Sequence, residues 1–161
     1  MTSGREPVSD LERTTVLVAE NRRAKRDYEI LDRLEVGMRL RGSEVKTLRN
    51  GKVSLAESFV KYKDNEIWLE GAHIEEFAQA AEDNHDPLRS RKLLARKRQI
   101  GKWGQRVKEK GLTIIPLRLY FLGRYAKLEI GLCRGRKRHD KRQQVKDRDD
   151  RRAIRSSRGR K

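Results

Sequence analysis

The segment GLTIIPLRLYFLGRYAKLEIGLC, residues 111–133, constrains the fold most strongly, because two apolar runs flank a short turn at Leu122–Arg124. This pattern predicts a β-hairpin. Pro116 lies inside the first run and predicts an edge position or a bulge, since proline has no N–H to donate to a strand ladder. Cys133 ends the second run and is the only cysteine, so we predict a small core residue and no internal disulfide.

Further apolar patterns predict more strands. Residues 28–42, YEILDRLEVGMRLRG, show mostly period-2 spacing, which predicts a strand that bends at Gly37. Residues 58–74 predict a second hairpin around Asp64–Asn65, and a short strand is expected at Thr15–Val18. The sequence therefore predicts a mainly β fold, a small antiparallel barrel with inserted helices. An OB-type barrel is a natural choice, and the strand count fits other small barrels equally well.

Three helices are predicted between the strands. The first spans residues 42–52, with Ser43 as N-cap and Gly51 just past its end. The second begins at Asp86–Pro87, because aspartate caps well and proline fits the first helical position. The third ends at Gly111. The apolar residues of the second and third helices are Leu88, Leu93, Leu94, Ile100, Trp103 and Val107.

Charge is concentrated at the end of the chain. The net charge is +17, and residues 134–161, here called the tail, hold 14 Lys and Arg against 4 Asp. We expect a flexible N-terminus at residues 1–20, a folded domain at 21–133 and then the tail. A chain with this much positive charge favours a polyanion as its binding partner. A membrane is disfavoured, because no apolar run approaches the roughly 18 residues of a span. One cysteine and no signal-like start suggest the cytoplasm.

Catalytic patterns are absent from the sequence. The three histidines have no metal-ligand spacing, and no phosphate-binding loop or nucleophile elbow is present. The lone Cys133 lacks the electropositive setting that a reactive thiol needs. We therefore expect a binding protein, not an enzyme, with no catalytic residue, no metal and no cofactor.

Basic residues form three groups: residues 22–26, residues 89–98 and the tail. Several clusters together favour RNA, because each phosphate that is neutralised releases counterions. For the second group alone, a solvated charged face is an equal alternative. Asn21 offers hydrogen bonds and Tyr28 offers a ring for stacking on unpaired bases. Tyr28 is also compatible with a core position at the start of its strand.

The tail combines its charge with signals for a helix over residues 140–155. Asp140 and Gln143 resemble a capping box, and acidic and basic residues pair at helical spacing. Only Val145, Ala153 and Ile154 are apolar there, too few to dock on a core. We therefore predict a tail that is disordered when free and helical when bound to a polyanion.

Five ordered blocks carry a resemblance: NRRAKRDY, GSEVKTLRNGKVSL, NHDPLRSRKLL, KEKGLTIIPLRLYF and GRKRHDKR with KDRD after it. Together, over residues 21–152, they resemble the SsrA-binding protein (small protein B) family of bacteria. The resemblance implies an OB-fold barrel that binds the tRNA-like domain of transfer-messenger RNA and carries it to stalled ribosomes for trans-translation. It implies elongation factor Tu with GTP and alanyl-tRNA synthetase as indirect partners. It also implies a tail that enters the messenger channel as a helix and engages the decoding centre.

The resemblance also implies site residues. The family's RNA-binding asparagine, tyrosine, acidic residue and leucine fall on Asn21, Tyr28, Glu35 and Leu94. With the basic groups, the predicted RNA-binding set is Asn21, Arg22, Arg23, Arg26, Tyr28, Glu35, Lys92 and Leu94. The predicted ribosome-binding set is Arg134, Arg136, Lys137, His139, Asp140, Lys141 and Arg142. Arg26 stands where many members have histidine. A general RNA-binding barrel, such as a ribosomal protein, and an RNA-processing enzyme are the competing interpretations.

Overall fold

The computed structural model describes residues 14–80, 82–135 and 146–155. Its elements are β1 Thr15–Glu20, α1 Arg22–Asp27, β2 Tyr28–Met38, α2 Gly42–Arg49, β3 Val53–Ser54, β4 Phe59–Lys63, β5 Glu66–Glu70, β6 His73–Ile74, β7 Arg91–Leu94, α3 Lys97–Lys110, β8 Thr113–Leu122 and β9 Tyr125–Gly135. Residues 146–155 of the tail are helical. No helix in these ranges is long and apolar enough to cross a membrane.

Seven strands form one antiparallel sheet in the order β1-β8-β4-β5-β7-β2-β9. A further pairing between β8 and β9 closes the six strands from β8 to β9 into a ring, and β1 lies beside the second half of β8. Strands β3 and β6 pair separately. The prediction of a small antiparallel barrel with inserted helices is confirmed.

Two register shifts interrupt the ring of six strands. The register shifts between Pro116 and Arg118 in β8, and between Ile30 and Asp32 in β2. The bulge predicted from Pro116 is therefore confirmed. Leu119, beyond the bulge in β8, packs in the main core of the barrel, and Leu132 on β9 does so too.

A second, smaller core lies under α1. Ala24, Ile115, Leu117 and Cys133 are buried there, and the half-buried Tyr28 packs against them. The predicted burial of Cys133 is confirmed, and burial raises the pKa of its thiol to about 11. This small core fixes α1 to the outside of the barrel.

The helix predicted at Asp86–Pro87 is wrong. Its segment contains a turn, where Leu88 N donates to Asp86 Oδ1 at 3.0 Å, and then strand β7. Strand β7 pairs with β5 on one side and with β2 on the other. The capping pair Asp86–Pro87 begins a turn equally well, and sheet pairing on both sides overrides helix propensity in the residues that follow.

The other two predicted helices are present as α2 and α3. The run that ends at Gly111 is α3, and Gly111 has a positive φ of 60°. Helix α2 begins at Gly42, so its N-cap is Arg41 and the prediction of Ser43 as N-cap is wrong. The carboxylate of Glu44 accepts the Arg41 N–H at 2.8 Å. Ser43 instead bonds to the buried His85, whose Nε2 donates to Ile74 O at 3.0 Å. His85 is therefore a packing residue between α2 and β6.

The folded part extends beyond the expected limits of 21–133 at both ends. The sequence predicts a flexible N-terminus at residues 1–20, with a strand only at Thr15–Val18, yet residues 15–20 all form β1 along β8. At the other end, β9 continues to Gly135, which pairs with Tyr28. Backbone hydrogen bonds extend a sheet where apolar patterning has already ended, so composition placed both limits too far inward.

Candidate nucleic-acid interface

Helix α1 turns the first basic group outward. Ala24 is buried in the second core, so Arg22, Arg23, Lys25 and Arg26 lie exposed around it. Arg23 pairs with Glu57, and Arg26 Nε lies 3.5 Å from Asp27 Oδ1. These pairs are exposed and therefore weak, so phosphate oxygens can compete for the arginines.

Asn21 holds the start of α1. Its backbone N donates to Leu117 O at 2.8 Å, and its Nδ2 donates to Pro116 O at 3.0 Å and to Leu55 O at 3.4 Å. The residue is only 6% exposed, and Oδ1 has no hydrogen-bond partner within the described residues. The geometry thus gives Asn21 a positioning role, in which it fixes Arg22 and Arg23 against β8.

A pocket of about 380 Å³ lies beside α1. Two aromatic residues line it, Tyr28 and Phe59, together with Asn21 and Arg23. Phe59 is 45% exposed, which is unusual for a large apolar side chain in a small barrel. Tyr28 packs on the second core, which agrees with the predicted core position, and it also lines the pocket. The sequence predicts Phe59 only as part of the second hairpin and not as a site residue, although its position next to the buried Val60 in β4 is a period-2 signal.

Glu35 lies on the outer face of β2. The phenol of Tyr120, on β8, donates a hydrogen bond to its carboxylate. Burial, together with this bond to Glu35, raises the pKa of Tyr120, so the phenol keeps its proton at neutral pH. One of the two carboxylate oxygens is thus engaged by Tyr120, and among the described residues the other has no hydrogen-bond partner.

Glu129 lies opposite Glu35 on β9 and organises two arginines. Arg33 Nη1 donates to its Oε1 at 2.9 Å, and Arg118 Nη2 donates to its Oε2 at 2.8 Å. Burial raises the pKa of Glu129, but the hydrogen bonds from Arg118 and Arg33 outweigh it and lower the pKa. The sequence did not point to this cluster, although the alternation in residues 118–120 places Arg118 and Tyr120 on one face.

Lys92 and Leu94 lie on β7, beside the same outer face. Leu94 is 50% exposed and pairs with Gly37 on β2, two residues from Glu35. Lys92 Nζ lies 2.8 Å from Glu66 Oε1. The predicted RNA-binding residues thus fall in two places, one at α1 and one on the β2–β7 surface.

Part of the second basic group is internal. Arg91 is fully buried, and its Nε donates to Glu44 Oε1 at 2.9 Å. Arg89 Nη2 donates to the other oxygen of Glu44 at 2.8 Å. These two arginines hold α2 to the segment before β7 and are occupied by Glu44. Three further cations of this group, Arg96, Lys97 and Arg98, are exposed where α3 begins.

Only part of the tail is described. Arg134 lies in β9, where its Nη1 is 3.9 Å from Glu29 Oε2. The other predicted ribosome-binding residues, Arg136, Lys137, His139, Asp140, Lys141 and Arg142, lie outside the described residues. Residues 146–155 are helical and exposed, as the helical spacing of their charges predicts.

A small β-barrel with an arginine-rich helix, an exposed aromatic pocket and a basic tail defines the class of nucleic-acid-binding barrels. The family model described as SmpB protein matches residues 18–159. The chain therefore belongs to the SmpB family.

Relatives and a solved structure agree with this assignment. The SsrA-binding protein of Carboxydothermus hydrogenoformans is 47% identical over 86% of this chain and 93% of its own length. The SsrA-binding protein of Kineococcus radiotolerans is 49% identical over 84% and 87%. A chain of the structure described as "tmRNA-SmpB: a journey to the center of the bacterial ribosome" is 44% identical, with a TM-score of 0.64 over 79% of this chain and 93% of that one.

Proposed function

We propose that this protein binds the tRNA-like domain of transfer-messenger RNA and delivers it to stalled ribosomes for trans-translation. The observation that carries the proposal is the likeness, in sequence and fold, to the SmpB chain of a tmRNA–SmpB ribosome structure. The surface described above supports it, since it combines cations for phosphates with aromatic rings and a carboxylate for unpaired bases.

The barrel is the part that binds the RNA. Helix α1 supplies Arg22, Arg23 and Arg26, which Asn21 positions. Tyr28 lines the adjacent pocket. On the β2–β7 surface, Glu35 accepts hydrogen bonds from base amino or sugar hydroxyl groups, and Leu94 and Lys92 extend the contact. The barrel thereby takes the place of an anticodon arm on an RNA that lacks one.

The tail is the part that engages the ribosome. The tail beyond Gly135 enters the empty messenger channel, with residues 146–155 already helical, and His139 and the Asp140–Arg142 segment meet the decoding centre. The exposure of all ten residues from 146 to 155 supports this role, because an isolated helix without packing gains stability only from a partner.

The remaining partners act through the RNA. Alanyl-tRNA synthetase charges the transfer-messenger RNA, and elongation factor Tu with GTP accompanies it to the ribosome. The protein itself works by binding in the cytoplasm, with no catalytic step, metal or cofactor of its own. Tagging of the nascent peptide is then a property of the complex.

A reconstituted translation reaction on a message without a stop codon tests this function. Adding transfer-messenger RNA and this protein should tag the stalled peptide. Replacing Asp140, Lys141 and Arg142 together with alanine should abolish tagging but leave RNA affinity unchanged. If tagging and RNA affinity fall in parallel, the tail is only an electrostatic anchor and the proposal is wrong.

A further inference from the structure

Helix α3 contains two glycines, and internal packing explains only one of them. Gly104 is buried, and a Cβ at this position would overlap the ring of Tyr62. Gly101 is exposed, and a Cβ there would have no atom within 4 Å. Glycine is a poor residue for the middle of a helix, so Gly101 weakens α3 without any packing benefit inside the protein.

Cations surround Gly101. Lys97 and Arg98 precede it by one turn and lie on its side of the helix, and Lys102 is the residue that follows it. All three are exposed, and they form no ion pair with residues in the described ranges. This differs from Arg89, Arg91 and Lys92 of the same basic group, each of which has a glutamate partner.

A groove of about 580 Å³ runs beside Gly101, between α3, β7 and the β4–β5 turn. Gly101 and Lys97 line one side, and Lys92 and Leu94 line the other. The groove is therefore continuous with the β2–β7 surface of the proposed RNA site. Asp64 and Glu66 also line the groove, and Lys92 is paired with Glu66. No aromatic residue lines it within the described part of the chain, so it offers no ring for a stacked base, and its cationic edge lies at Lys97, beside Gly101.

We propose that the backbone of the bound tRNA-like domain crosses α3 at Gly101, with phosphates held by Lys97, Arg98 and Lys102. The missing side chain lets the RNA backbone approach the helix closely, which brings its phosphates within reach of all three cations. This inference rests on the proposed function and extends its site from β7 onto α3.

The sharpest test substitutes Gly101 with alanine and with glutamine in the full chain. Gly101→Ala should raise the Tm, because alanine is the best helix former, yet weaken binding to the tRNA-like domain by about tenfold. Gly101→Gln should weaken it further. The matched control is Gly42→Ala in α2, where a Cβ also has nothing within 4 Å. It should leave the affinity unchanged.

A second set of variants removes the cations beside Gly101. Replacing Lys97, Arg98 and Lys102 with glutamine should reduce the slope of log affinity against log salt by about 0.7–0.9 for each phosphate that is no longer neutralised. The control replaces Lys46 in α2, Lys52 and Lys110 at the far end of α3, which are all exposed, and so removes the same charge. Equal reductions in affinity for both triple variants would overturn the proposal, because they would show a general effect of charge.

The outcome separates this inference from the proposed function. If the unaltered chain prefers the tRNA-like domain over a control RNA but Gly101→Ala and Gly101→Gln bind as tightly as it does, then the α3 crossing is wrong and the function stands. If the unaltered chain shows no such preference, the function fails first and the α3 crossing fails with it.

Discussion

The Tyr120 phenol donates a hydrogen bond to the Glu35 carboxylate and so connects β8 to β2 across the strand between them, β9. Tyr120 is 8% exposed, whereas Glu35 is exposed. The bond therefore fixes a surface carboxylate with a donor anchored in the barrel. An acceptor that is held in one position costs less entropy to engage, so this bond supports the proposed role of Glu35 as an RNA contact.

We predict that Tyr120→Phe weakens binding of the tRNA-like domain without unfolding the protein. Phenylalanine keeps the ring and its packing, but Glu35 loses its donor and becomes mobile. Equilibrium binding should show an affinity loss of roughly 0.5–1.5 kcal/mol, the net worth of one hydrogen bond. An unchanged affinity would mean that the bond serves the barrel alone.

Glu35→Gln tests the carboxylate itself. Glutamine can still accept from Tyr120 but lacks the charge, so the bond to β8 survives while the acceptor for the RNA is changed. If Glu35 accepts from RNA at a buried contact, affinity should fall by about 1–3 kcal/mol. The same titration with no change in affinity would remove Glu35 from the site.

The buried ion pair between Glu44 and Arg91 should dominate the stability of the α2 region. Both side chains are fully buried, and Arg91 Nη1 also donates to Ala72 O at 2.9 Å. Glu44→Gln leaves the charge of Arg91 unpaired and should lower the free energy of unfolding by about 3–5 kcal/mol in urea titrations. The exposed Glu109→Gln, on α3, is the control and should change stability little. A small effect of Glu44→Gln would show that Arg91 can rely on its carbonyl partners.

Glu44 also predicts how stability depends on pH. Burial raises its pKa, but hydrogen bonds from Arg89, Arg41 N and Arg91 outweigh burial and lower the pKa from 4.5 to about 2. The unfolded chain therefore binds the proton first as pH falls, so stability is full above about pH 5 and is lost progressively toward pH 2. Urea titrations across this range should show the loss, and Glu44→Gln should flatten it. An equal slope in Glu44→Gln would assign the effect to other carboxylates, such as Glu129.

Gly104→Ala should behave oppositely to Gly101→Ala. Its new Cβ would displace the ring of Tyr62, whose hydroxyl donates to Asn65 Oδ1 at 2.8 Å. We expect a destabilisation of about 1–3 kcal/mol from overpacking, measured by thermal or urea unfolding. A gain in stability would mean that Tyr62 moves aside at little cost.

The barrel could be predicted because most of its strands carry local sequence patterns. The β8–β9 hairpin, the turn at Asp64–Asn65 and the bulge after Pro116 each depend on neighbouring residues, and all three are present. The sequence does not predict strand β7, because its four residues carry no alternation of apolar and polar side chains. They are extended because β2 and β5 pair with them from distant parts of the chain.

The candidate site also has one part that the sequence predicts and one part that it does not. The exposure of the arginines in α1 follows from charge, which a sequence displays directly. The hydrogen-bond partners of Glu35 and Glu129 cannot be read from local sequence. Tyr120 lies 85 residues from Glu35 along the chain, and Arg33 lies 96 residues from Glu129. These side chains meet only when the barrel closes. Arg91 differs from the prediction in the opposite direction. Its charge suggests a contact with RNA, but the structure buries it against Glu44.

Selective RNA binding by the barrel is the central claim, and equilibrium binding over a salt series tests it most directly. The full chain and a chain ending at Gly135, which keeps all of β9, would be titrated with the tRNA-like domain of transfer-messenger RNA and with a control RNA. We predict that the shortened chain keeps tight, selective binding with a similar salt slope. If selectivity vanishes without the tail and the slope falls by several units, the barrel does not recognise the RNA and the central claim is contradicted.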